Sequence, residues 1–102
     1  MRVRAFTLAA LKAFWNAGHA DAEGPLRAWM QRIEAADWSS FADLREDYPS
    51  ADLVADKVVF NIAGNKYRVI CYVPFGKRTV YILWIGTHAE YSRLSRQDIE
   101  AL

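Results

Sequence analysis

Polar and apolar residues alternate at the start of the chain. In MRVRAF, Val3 and more loosely Phe6 are set against Arg2 and Arg4, and this period of two predicts a short strand. The period then lengthens. Leu8, Leu11 and Trp15, with Phe14 beside it, recur at three- and four-residue spacing, which predicts a helix with Thr7 placed to cap it and Gly18 to stop it. In DAEGPLRAWMQRIEAADW the stripe Leu26, Trp29, Met30 and Ile33 predicts a second helix. Asp21 is its expected cap, and Pro25 is tolerated because it falls in the first turn. Ser40 to Asp43 resembles a capping box, so one short helical turn is expected before Pro49.

The character changes at Lys57. KVVFNI, KYRVICYV and RTVYILWI are rich in the β-branched and aromatic residues that pack well on a pleated surface. AGN separates the first two and PFGK the second and third, with Gly64-Asn65 and Gly76 expected to supply the positive φ of tight turns. Two hairpins in succession make an antiparallel meander, and Thr87 to Leu94 reads as a short helix. The order predicts a small α+β fold: an antiparallel sheet with two N-terminal helices packed on one face and a short C-terminal helix. Its 102 residues are one domain's worth, so residues 1–102 are read as a single domain.

Composition supports a packed globule, with 53% apolar residues and four tryptophans. No apolar run approaches the roughly 20 residues of a membrane span, so no membrane association is expected. The amphipathic N-terminus reads as part of the fold rather than as a secretory signal. Cys71 is the only cysteine, which rules out an intramolecular disulfide, fits a cytoplasmic location and is expected as a small buried hydrophobe. Net charge is only +1, but it is unevenly placed. Residues 1–56 carry six Lys/Arg against nine Asp/Glu, and residues 57–102 carry seven against three. That polarity points one face at phosphate.

Two stretches carry candidate chemistry. Side chains alternate along KYRVICYV, so Tyr67, Val69, Cys71 and Val73 are expected in the core and Lys66, Arg68, Ile70 and Tyr72 on an open face. An arginine there suits a phosphate through its planar fork, the alternative being a surface ion pair with a carboxylate. In IGTHAEYSRL, Thr87 and Glu90 form a T-x-x-E capping box, and Gly86 is expected to allow a sharp exit from the strand. His88 and Tyr91 remain, three apart and therefore on one helical face. An imidazole can give or take a proton near neutral pH, and a tyrosine can bond a phosphate or stack on a base. A purely structural His–Tyr pair is the alternative. His19 and His88 sit in different elements, with no H-E-x-x-H, cysteine set, P-loop, G-x-G-x-x-G or G-x-S-x-G beside them, so no metal and no cofactor is expected.

VVFNIAGNKYRVICYV followed by VYILWIGTHAEY resembles the signature of the HigB-type toxins of type II toxin–antitoxin systems, and the N-terminal half matches them in order and spacing. The resemblance implies a RelE-like fold. It implies an endoribonuclease that cuts mRNA on the translating ribosome, neutralised by a helix-turn-helix antitoxin of the HigA type that meets operator DNA on the toxin's behalf. The residues matched are Asn65, Lys66, Tyr67, Arg68, Gly86, Thr87, His88, Glu90 and Tyr91; on this reading Arg68, His88 and Tyr91 are the expected catalytic residues and Lys57, Asn65, Lys66, Lys77 and Arg78 the expected RNA contacts. Departures are Ala63, Ser92 and above all Leu83, where a basic residue is common. Leu83 implies either a weaker nuclease or a takeover of phosphate contacts by Lys77 and Arg78. The rival readings are a ParE-like toxin acting on DNA gyrase and a non-catalytic RNA-binding module.

Overall fold

The computed structural model describes every residue except Arg4 and the side chains of residues 5–7. Among the described residues ten elements follow one another: β1 (Arg2–Val3), α1 (Ala5–Asn16), α2 (Glu23–Ala35), α3 (Phe41–Asp47), β2 (Asp52–Val54), β3 (Lys57–Ile62), β4 (Tyr67–Tyr72), β5 (Thr79–Thr87), α4 (His88–Ser92) and α5 (Arg96–Glu100). Short 3-10 turns at Ala20–Ala22 and Phe75–Lys77 join neighbours. The sheet order is β1-β5-β4-β3-β2. The expected meander is β3-β4-β5, antiparallel throughout. The sheet is not wholly antiparallel, however: β1 lies parallel to β5, with Arg2 opposite Thr79. β2, in a segment expected only to bridge the helices to the sheet, pairs antiparallel with β3.

The helices expected on one face are there. Leu11 and Trp15 from α1, Leu26, Trp29 and Ile33 from α2, and Leu44 from α3 pack in one core with Val58, Phe60, Ile62, Tyr67, Val69 and Cys71. Burial pushes the Cys71 thiol far above its usual range, as befits a small hydrophobe. α3 begins where Ser40 accepts a bond from the Asp43 amide at 3.2 Å. Gly18, at φ +102°, ends the first helical stretch. α1 begins at Ala5, ahead of the Thr7 expected to cap it, and the Thr7 and Phe6 side chains and Arg4 lie outside the described residues.

Three local expectations are corrected. Asp21 does not cap α2, whose N-cap is Ala22 with no side-chain bond, because its carboxylate reaches across to the sheet. In the β3-β4 turn the positive φ values belong to Ala63 and Gly64 rather than to Gly64 and Asn65. In the β4-β5 connection Arg78, not Gly76, takes the left-handed conformation, at φ 51°.

The second face is not open, contrary to expectation. Val59 and Ile70 on the sheet pack against Ile99 of α5, with Val54, Trp84, Tyr91 and Leu94 around them. α5 is an element that the hydrophobic pattern does not predict. It starts at a second capping box, in which Ser95 accepts from the Asp98 amide and the Asp98 carboxylate accepts from the Ser95 amide at 2.8 Å. α4 and α5 together cover part of this face.

Candidate functional site

Register builds the site. Arg68 of β4 stands opposite Asn61 of β3 and Gly86 of β5, and Ile70 stands opposite Val59 and Trp84. Residues directly opposite in an antiparallel pair share a face, so Asn61, Arg68 and Trp84 all point toward α4. Gly86 lies within β5 rather than at a sharp exit, and its φ is unremarkable. A Cβ there would sit 2.6 Å from the Trp84 ring atom Cζ2, so the glycine leaves room for the indole. The strand then passes into α4 through the expected capping box: the Thr87 amide donates to Glu90 at 2.8 Å and the Glu90 amide donates to Thr87 Oγ1 at 3.1 Å. Those bonds hold the Glu90 carboxyl below its usual range. The His88 amide donates to the Lys66 carbonyl at 3.0 Å, tying the first residue of α4 to the start of β4.

Arg68 is therefore displayed less than expected, at 7% exposure, and held more firmly. Nη1 donates to the Asn65 and Tyr67 carbonyls, each at 3.1 Å. Nη2 donates to Asn65 Oδ1 at 2.5 Å and meets His88 Nδ1 at 3.1 Å. The guanidinium carbon lies 5.8 Å from the centre of the Tyr91 ring, within cation–π reach. No carboxylate pairs with Arg68 among the described residues. Because a guanidinium only donates, His88 Nδ1 is the acceptor and the proton of a neutral ring sits on Nε2. All three expected catalytic residues are thus in one cluster. Asn65, expected as an RNA contact, is what aims the arginine.

Lys66 lies beside this cluster, with its ammonium paired to the Asp21 carboxylate. Asp21 also accepts from the Tyr67 hydroxyl at 2.5 Å. The bonds from Lys66 first and Tyr67 second hold the Asp21 carboxyl below the carboxylate range, while Asp21 raises Lys66 and Tyr67. His19 stacks on Phe14 at 4.2 Å and meets the Tyr67 ring edge-on at 5.7 Å. The two histidines, distant in sequence, thus belong to the same end of the sheet.

The other expected RNA contacts, Lys57, Lys77 and Arg78, lie at the other end. Thr79 and Thr87 bound the nine residues of β5, so Lys77 and Arg78 are separated from His88 by roughly 26 Å of strand. Lys77 and Leu83 line one surface groove with Tyr72 and Tyr81, which puts a cation beside the position where the resemblance leads one to expect it. Arg78 pairs with Asp37 at 2.6 Å. Lys57 is not displayed at all: at 4% exposure its ammonium donates to Asp56 at 2.6 Å and to the Glu100 carbonyl at 3.3 Å, joining β3 to α5. The basic half of the sequence is split between two ends of one sheet.

A cleft of about 340 Å³ opens beside Arg68 and Tyr91, walled by Asn61, Asp52, Ser50 and Arg45. Sequence reasoning passed over these four because they fall in the α3-β2 segment and on β3, outside the two stretches it singled out. Burial, and then Asp52, raise the Tyr91 phenol above its usual range. No group of three or more His, Cys, Asp or Glu among the described residues gathers as metal ligands. No helix among them is long and apolar enough to cross a membrane.

Residues 22–94 match the HigB_toxin family, described as the RelE-like toxic component of a toxin–antitoxin system. The chain is 31% identical over 74 residues to the mRNA interferase HigB of Escherichia coli O6:H1, covering 70% of this chain and 72% of that protein. The matched region contains β3, β4, β5 and α4, and so the whole Arg68 cluster. The chain belongs to the HigB_toxin family of RelE-like toxins of toxin–antitoxin systems.

Proposed function

We propose that this toxin is an endoribonuclease that cuts mRNA on the translating ribosome. The observation that carries the reading is Arg68: a nearly buried guanidinium with no carboxylate partner among the described residues, in contact with an imidazole and a phenol. A similar toxin bearing the name mRNA interferase supports it. In the reaction the RNA 2′-oxygen attacks the adjacent phosphorus and the bond to the 5′-oxygen breaks, leaving a 2′,3′-cyclic phosphate and a 5′-hydroxyl. A proton leaves the 2′-hydroxyl and one reaches the 5′-oxygen, while charge builds on the phosphoryl oxygens.

Arg68 carries that charge. An incoming phosphate competes with His88 Nδ1 for Nη2, and the arginine moving onto the phosphate frees a lone pair on the imidazole to accept a proton. His88 thus shifts from holding the arginine to moving the proton. Tyr91 orients the phosphate or stacks on a base. Lys66 gives up Asp21 for an RNA phosphate, and Lys77 adds a distant backbone contact. The ribosome supplies the near-attack geometry of the message.

The partner is a helix-turn-helix antitoxin of the HigA type, which covers the Arg68 end and carries the complex to operator DNA. The test is to add the protein to a translation reaction and map new 5′ ends on the message. Cleaved message supports the reading. Intact message with trapped or relaxed DNA would replace it with gyrase poisoning, and bound but intact message with an RNA-binding module.

A further inference from the structure

A second cavity, of about 150 Å³, lies where β3 runs past the end of β2. We propose that it is a binding site for a short-chain monocarboxylate such as propionate, held by Arg32, Trp29, Tyr48 and Asn61. The site goes beyond the nuclease reading and does not rest on it.

Topology leaves the space and helices enclose it. β2 pairs with β3 only from Lys57 to Val59, so among the described residues Asn61 and Ile62 have no strand on their outer side. Ala28, Trp29 and Arg32 fall one turn apart on α2 and share a face that meets this edge. Tyr48, which follows the last residue of α3, closes the cavity. Its volume is that of about five molecules of liquid water, which limits a guest to about five non-hydrogen atoms.

The polar side chains of the wall are mostly donors. Trp29 Nε1 and Tyr48 Oη are buried and have no hydrogen-bond partner among the described residues. Burial raises the Tyr48 phenol above its ordinary value, so it keeps its proton and donates at neutral pH. Arg32 lies over the Tyr48 ring, its guanidinium carbon 4.6 Å from the centre, and spends Nη2 on the Asp47 carbonyl at 3.2 Å. Its other donors and the Asn61 side-chain amide make no hydrogen bond among the described residues. None of the described residues in the wall carries a carboxylate. Asp47, whose charge is felt at Tyr48, turns its own carboxylate to the Trp38 indole at 2.8 Å.

Donors around one positive charge, with no acid among them, select an anion. The planar fork of Arg32 matches the two oxygens of a carboxylate. The indole N–H and the phenol O–H lose water on folding and gain nothing in return; a carboxylate supplies the acceptor when a small turn of each ring brings them to it. Ala28, Ile62 and Ala63 give the rest of the wall aliphatic side chains, so the tail of the guest is apolar. A second charge, as in a dicarboxylate, would lie against that carbon with no partner.

The probe is sodium propionate, titrated at constant ionic strength into the isotope-labelled full chain and followed by NMR. The Trp29 indole N–H signal is recognised by its cross-peaks to the Phe60 ring, 5.2 Å away between centres. It is expected to shift saturably, with a dissociation constant on the order of millimolar, which so small a guest can sustain. Propanol, with the same tail and no charge, and propylammonium, with the charge reversed, should leave the signal in place. Arg32→Gln changes an exposed residue and should weaken propionate on the order of tenfold, the scale of a lost charge-assisted bond. Tyr48→Phe keeps the ring beneath Arg32 and should weaken it by roughly threefold to tenfold. The same spectra show that each variant is folded. A Trp29 signal that propionate does not move, or that propanol or propylammonium moves as far, overturns the site. So does an affinity for propionate that is unchanged in either variant.

Discussion

Arg68 is held by four acceptors from three residues. Asn65 supplies two, the Tyr67 carbonyl one and His88 the last. Only a planar fork can meet them together, so Arg68→Lys is expected to lose most activity even though charge is kept. His88→Gln preserves size and some hydrogen bonding but cannot carry a proton. It should cost on the order of 10²-fold in cleavage, with a melting temperature close to that of the parent. A Gln variant that cuts at the parental rate would make His88 a mere buttress for the arginine. The Asp21 clamp has its own pH signature. Its carboxyl is depressed, so its contribution is present above the ordinary carboxylate value of 3.8 and is lost as pH falls through the lower folded value. Lys66 and Tyr67 are raised, so their contributions are lost as pH rises beyond 10.5 and 10.0 respectively. Thermal melts against pH should therefore show an acid limb that flattens in Asp21→Asn.

The passage from β5 into α4 is the element on which the site depends. Thr87→Ala removes one half of the capping box and should cost about 0.5–2 kcal/mol of stability, while the chemistry of the folded fraction is unchanged. Gly86→Ala forces a methyl into the Trp84 ring, and overpacking of this kind costs roughly 1–3 kcal/mol. Since Trp84 lies 6.3 Å from Tyr91, that variant should also lose activity. Urea titrations of the two, paired with cleavage assays, separate the effects. This element was legible in sequence because T-x-x-E states its geometry within four residues. β2 was not legible: Asp52–Val54 becomes a strand only by pairing with β3, and three residues carry no period of their own. α5 was not legible because Arg96–Glu100 is five residues long, too short to carry a helical period of its own. The positive φ at Ala63 and Arg78 went unread because residue type points to Gly64, Asn65 and Gly76, while the register of the hairpins decides which position must bend.

Across the whole molecule, charge segregation in sequence became a division in space. The run from Lys57 to Arg96 contains one acid, Glu90, yet its cations fall at two ends of a sheet, because strands that alternate in direction carry neighbouring turns apart. Lys57 is spent inside, Arg78 on Asp37, and Lys66 on Asp21. The roof of α4 and α5 made the face beneath it a pocket rather than an open platform, which linear alternation along β4 had no means to show. Lys77→Ala is expected to weaken RNA binding alike for all sequences and to reduce its salt dependence by about one unit of slope, leaving the site of cutting unchanged. A changed cleavage position in that variant would place the groove at Lys77 and Leu83 inside the active centre. Whether Arg68 carries the transition-state charge is decided by mapping new 5′ ends in a translation reaction with parental and Arg68→Ala protein at matched folded concentration. The parent should leave 5′-hydroxyl ends, and the variant should cut on the order of 10²–10³-fold more slowly, the scale of one lost transition-state contact. A well-folded Arg68→Ala protein that cuts at near the parental rate would contradict it.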